Sequence, residues 1–228
     1  MNNNVSQLSK PETSFKPQIY LPLWLVILLF FAVISASFAQ QKDIDSTKIK
    51  QAIAFQDSAL SYMYGAQEKA LDSAILMWSK AIEMDSTKVI FHQLKSYTYL
   101  RKGEAKEAIS TLSDWLKKHP DDIETTLKRG MILHQTNLKT EALADFDLVR
   151  TYLLKNPIVL KKPSDSKELG IVANQLEKFI LIGDNENALK IMEQIQQTFP
   201  DDKKHLKMPA LPTKEEREEI IRNKIRVF

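Results

Sequence analysis

The sequence predicts an all-α fold of stacked helical hairpins, and three observations predict it. Glycine is scarce, with 5 in 228 residues, which disfavours turn-rich β architectures. Ala74, Ala108 and Ala142 recur at 34-residue steps, each opening a stretch of helical periodicity. Gly103, Gly183, Pro120 and Pro200 punctuate those stretches where a helix must turn or stop.

The N-terminal segment is set apart from the fold. Residues 1–20 are polar, with Lys10 and Lys16, and lead into an unbroken apolar run from Leu21 to Ile34. That run fits the apolar region of a signal peptide and is shorter than the ~20 residues needed to span a bilayer. Ser37-Phe38-Ala39 follows, with small residues placed for cleavage after Ala39. The expectation is a signal peptide over 1–39, with an uncleaved anchor over residues 20–39 as the alternative. Residues 40–50 read as a linker.

The repeated stretches begin at Ala74, Ala108, Ala142 and Ala188. Four residues after each alanine stands a large apolar residue: Trp78, Leu112, Phe146 and Met192. Three further on come Ala81, Trp115, Val149 and Ile195. Steps of four and three place these side chains on one helical face. A small alanine admits a neighbouring helix closely, and the large residue beside it fills the space that remains. Gly103, Asn137 and Gly183 stand five residues before their alanines, at the turn between two helices.

This pattern resembles the tetratricopeptide repeat family, whose unit is a 34-residue helix–turn–helix. Counted from the alanines, the units are 55–88, 89–122, 123–156 and 169–202, within an array over 51–202. Arg129-Gly130 and Ala144-Asp145-Phe146 make the third unit the best match. Departures fall in the first helices, where Tyr62 and Leu176 occupy the eighth place that the family fills with a small residue. Trp115 likewise stands where alanine is usual. The resemblance implies an α-solenoid of about four repeats.

Between the third and fourth units lie 12 extra residues containing Pro157 and Pro163, a surface loop by composition. The basic tail, 203–228, ends in TKEEREEIIRNKIRVF. Thr213 with Glu216 forms a capping-box signature, and Ile221, Ile225 and Phe228 share a face. A C-terminal capping helix that covers the last repeat is expected there. An amphipathic helix that meets a membrane surface or a partner is the alternative.

No catalytic chemistry emerges. Cysteine is absent, which excludes disulfides, thiol nucleophiles and thiolate zinc sites. His92, His119, His134 and His205 lie in no metal-ligand spacing, and no nucleophile-elbow, phosphate-loop or dinucleotide motif occurs. Asp121-Asp122 and Asp201-Asp202 suit helix starts rather than a carboxylate site. A formal charge of +3 on this length gives no reason to expect nucleic acid. A non-enzyme with no cofactor and no metal is expected.

The resemblance implies that function resides in the concave groove lined by the first helix of each unit. Residues placed there are Gln93, Leu94, Tyr97, Arg101, Lys128, Met131, His134, Gln135, Asn174 and Glu177. The partner is then a protein or peptide. The Lys and Asn with which one variant of the family clamps a peptide carboxylate are absent. With the N-terminal segment, the expectation is a periplasmic or secreted scaffold. The alternative is a membrane-anchored structural subunit that self-associates.

Overall fold

A computed structural model describes residues 45–65, 69–158, 166–198 and 210–226. Among these residues the regular structure is entirely helical. Nine helices follow in order: α1 (45–63), α2 (Lys69–Met84), α3 (Val89–Lys102), α4 (Ala105–Lys118), α5 (Ile123–Gln135), α6 (Lys139–Lys155), α7 (Ser166–Ile182), α8 (Asn185–Thr198) and α9 (Lys214–Arg226). Of the chain's two compact units, Met1–Thr47 and Lys48–Phe228, the first lies almost wholly outside the described residues. The expected signal segment 1–39 falls there. Among the described residues no helix is long and apolar enough to cross a membrane.

Local sequence explains the hairpins. Gly103, Asn137 and Gly183 adopt the left-handed conformation, with φ of 82°, 64° and 76°. At each, two backbone bonds close the preceding helix. Gly103 N–H donates to Leu100 and Glu104 N–H to Tyr99; Asn137 and Leu138 donate to His134 and Leu133; Gly183 and Asp184 donate to Ile180 and Phe179. This is one C-capping motif made three times, and it satisfies carbonyls that a helix end would leave open. The next helix then starts alike in each case. Ala108, Ala142 and Ala188 donate to the carbonyls of Glu104, Leu138 and Asp184.

The recurrent alanines lie on the packed faces of their helices. Ala74, Ala108, Ala142 and Ala188 are all fully buried, with Trp78, Leu112 and Phe146 buried one turn on. Ser96 of α3 donates its hydroxyl to the carbonyl of Ala108 at 3.0 Å. Gly130 of α5 meets Phe146 so closely that an added Cβ would lie 2.8 Å from the ring. A burial of this kind contributes about 1.5–3 kcal/mol for each large side chain.

Consecutive helices from α2 to α8 pack against one another, and α5 also packs on α7. Two apolar clusters result. One joins α1, α2 and α3 through Ala52, Ala59, Trp78, Ala81 and Phe91. The other runs from α5 to α9 and contains Phe146, Val149, Val172, Phe179 and Ile221.

Two expectations are corrected. The linker assigned to 40–50 is helical from residue 45, because α1 extends ahead of the first unit. In that unit Tyr62 is 43% exposed, while Ala59 and Met63 are buried. The second correction concerns α9, which does not simply cap the end of the array. It reaches the last hairpin through α7 and extends onto α5 and α3. Its Ile220, Ile221 and Ile225 find apolar surface between those helices rather than beyond the last one. The capping box at its start does form, with Thr213 N–H donating to Glu216 at 2.7 Å and Glu216 N–H to the Thr213 hydroxyl at 3.2 Å. Phe228, the third member of the expected apolar face, lies outside the described residues, as does 159–165 of the inserted loop.

Candidate functional site

The ten residues expected in the groove lie on α3, α5 and α7, and the structure sorts them into two groups of three with four outliers. The first group is a polar bridge between successive hairpins. Asp122 caps α5 by accepting from Thr125 N–H at 3.1 Å, and its other oxygen accepts from the Thr125 hydroxyl at 2.8 Å. The Trp115 indole N–H donates to that second oxygen at 2.7 Å. Gln93 donates to the Thr125 hydroxyl at 3.1 Å and accepts from the Lys128 ammonium at 2.8 Å. Burial lowers the Lys128 pKa below the ordinary lysine value, against the pull of Glu124 and Asp122. Gln93 and Lys128 therefore fasten one hairpin to the next. Tyr97 is half-buried on the same helix as Gln93.

Trp115 explains its own departure from the repeat pattern. Its ring stacks on His119 at 3.8 Å between centroids, while His92 approaches at 5.1 Å. A large ring there fills the α4–α5 junction and supplies the donor that Asp122 accepts.

The second group faces α9. His134 Nε2 lies 2.7 Å from a Glu218 carboxylate oxygen, and the Gln135 amide lies 3.4 Å from the other. Glu177 pairs with Lys224. Arg217 lays its guanidinium against Gly183, where any Cβ would collide with it. The α9 helix thus lies against α5 and α7.

The remaining residues separate further. Met131 is only 2% exposed and belongs to the core, so its assignment to a partner surface is corrected. The small residue at Gly130 draws α6 in over α5 and closes the space beside it. Leu94 packs against the α1–α3 cluster. Arg101 donates to the carbonyl of Met63 at the end of α1, where a cation is favoured. Asn174 is exposed.

Sequence reasoning missed the docking of α9, although its signal was present. Glu218, Ile221 and Lys224 recur at three-residue steps on α9, and α5 and α7 offer His134 and Gln135 to the first and Glu177 to the last. Among the described residues, no group of three or more His, Asp or Glu side chains is placed to hold a metal. A cleft of about 460 Å³ runs between the turn at Gly103–Lys106 and Thr136 with Leu138.

No protein-family model matches the chain, and no curated protein matches it.

Proposed function

We propose that this chain is an exported scaffold of the tetratricopeptide-repeat type that binds a protein or peptide in the groove formed by α3, α5 and α7. The observation that carries the reading is α9 itself. A helix of the chain lies against the first helices of three successive hairpins, held by His134, Gln135 and Glu177. A surface that receives one helix through an aliphatic anchor flanked by charges has the chemistry of helix-in-groove recognition. The recurrence of the turn at Gly103 and Asn137, with Ala108 and Ala142 buried at the same offset, supports the repeat assignment. The apolar run Leu21–Ile34 and Ser37-Phe38-Ala39 support export, and the proposed location is the periplasm or outside the cell. Membrane contact is confined to an uncleaved N-terminus or to the C-terminal helix. No nucleic acid, cofactor or metal is invoked, and no catalytic role is assigned.

A second reading is a membrane-anchored structural subunit that self-associates. The apolar side chains that α6 leaves exposed, Leu143, Leu148, Tyr152 and Leu154, favour it.

An affinity capture from the envelope fraction tests the first reading. The full chain is compared with a variant carrying Tyr97→Ala and Asn174→Arg, checked for native helicity. A protein captured by the first and lost by the second supports the groove. Equal capture by both removes the groove assignment. No capture, with a stable homo-oligomer by light scattering, favours the structural subunit.

A further inference from the structure

Docking of α9 rests on three apolar side chains, Ile220, Ile221 and Ile225. Nine of its 13 residues are charged, and Ile221 is its one fully buried side chain among the described residues. Polar contacts bracket that anchor. Glu218, one turn before it, meets His134 at 2.7 Å and Gln135 at 3.4 Å; Lys224, one turn after it, meets Glu177. The fit is imperfect. Arg217 is pressed onto Gly183 with its Nε buried and unpartnered among the described residues, which costs docking energy that a better-matched helix would not lose. The helix is joined to α8 through residues 199–213, so it stays near this surface at a local concentration on the order of millimolar whether docked or not.

We propose that α9 is a tethered, displaceable occupant of the α5–α7 surface, and that the partner is an amphipathic helix presenting a carboxylate, an aliphatic side chain and a cation at three-residue steps. The proposal rests on the scaffold reading and specifies its ligand. His134 and Gln135 receive the carboxylate, the apolar surface that buries Ile221 receives the aliphatic group, and Glu177 receives the cation. Hydrophobic burial supplies the anchor, while the two charged ends set polarity and register. In the resting protein α9 holds this surface out of water and admits only partners that outcompete it.

A labelled peptide of residues 210–226 tests this with the full chain. Ile221→Asp in the protein undocks α9 and leaves the surface intact. The peptide is expected to bind that variant at least tenfold more tightly than the wild type, where it competes with the tethered copy. A peptide itself carrying Ile221→Asp, or Glu218→Lys with Lys224→Glu, binds neither. Equal affinity for both proteins, or no binding to a folded Ile221→Asp protein, overturns the proposal. Should that variant fail to fold, amide hydrogen exchange on the wild type decides. Exchange in α9 at least tenfold faster than in α5 and α7 supports a displaceable helix, and equal protection overturns it. A wild-type dimer abolished by Ile221→Asp also overturns it, because the occupant is then α9 of a second copy. The envelope capture is independent of these results: a partner captured through Tyr97 and Asn174 leaves the scaffold reading standing even if α9 does not exchange.

Discussion

Glu218 and His134, 84 residues apart in sequence, bring a carboxylate oxygen within 2.7 Å of an imidazole nitrogen and so join the last helix of the chain to α5. The same carboxylate meets the Gln135 amide. Glu218→Ala removes both interactions from a half-buried site. The expected loss is about 1 kcal/mol, the net value of a hydrogen bond in such a setting. A urea titration of the wild type and the variant measures it, and an unchanged midpoint would separate α9 from the stability of the fold.

Gly130 is a site where packing outweighs propensity. Alanine in a helix interior normally gains about 1 kcal/mol over glycine. Here the new methyl would lie 2.8 Å from the Phe146 ring and 3.0 Å from the Asp145 Cβ, both on buried residues. Overpacking of this kind costs about 1–3 kcal/mol. Gly130→Ala should therefore lower the thermal midpoint, whereas Gly170→Ala, with open space around it, should not.

Asp145 is 2% exposed and depends on one cation. Arg129 grips it through two bonds of 2.9 and 2.6 Å and also reaches the Ser113 hydroxyl at 3.2 Å. The bond to Asp145 raises the Arg129 pKa against the opposing effect of burial. Arg129→Leu strands a buried carboxylate and should cost about 3–5 kcal/mol. Adding Asp145→Leu should recover much of that loss, since the stranded charge is gone. A double-mutant cycle by chemical denaturation reads both effects.

His92 makes stability depend on pH. Burial, then the ammonium groups of Lys95 and Lys118, hold its pKa below the ordinary 6.5, against Asp114 and a hydrogen bond with the Thr111 backbone. A folded pKa below the unfolded one means that the unfolded chain takes up the proton first as pH falls. The stabilising effect is therefore complete above about pH 6.5 and is lost on acidification through the folded value. Thermal midpoints measured from pH 7.5 to 5 should fall, and His92→Gln should fall less steeply. Parallel curves for the two proteins would remove the assignment.

Asn137 carries a φ of 64°, which an ordinary L-residue adopts at a cost of about 1–2 kcal/mol. Asn137→Ala should destabilise by about 1 kcal/mol, because alanine lacks the local bonding that eases asparagine into this region. Asn137→Gly should be neutral or stabilising, matching Gly103 and Gly183 at the equivalent turns. Denaturation midpoints of the two variants should fall on opposite sides of the wild type or bracket it closely.

The sequence by itself determined what is local and periodic. The alanines at 34-residue steps, the turn residues Gly103, Asn137 and Gly183, and the Thr213–Glu216 capping box were all legible. A helical face, a left-handed turn and a cap each involve side chains only a few residues apart. Less of the groove was legible. The repeat register placed ten residues on three helices, but it could not separate Met131, which Gly130 and Phe146 draw into the core, from His134 on the same helix. Only the tertiary structure decided where α9 goes. Its contacts with His134, Gln135 and Glu177 join groups that are distant in sequence, and helical periodicity carries no information about which distant surface an amphipathic helix will cover. That choice depends on shape and charge assembled from α3, α5 and α7 together, and these exist only once the hairpins have packed.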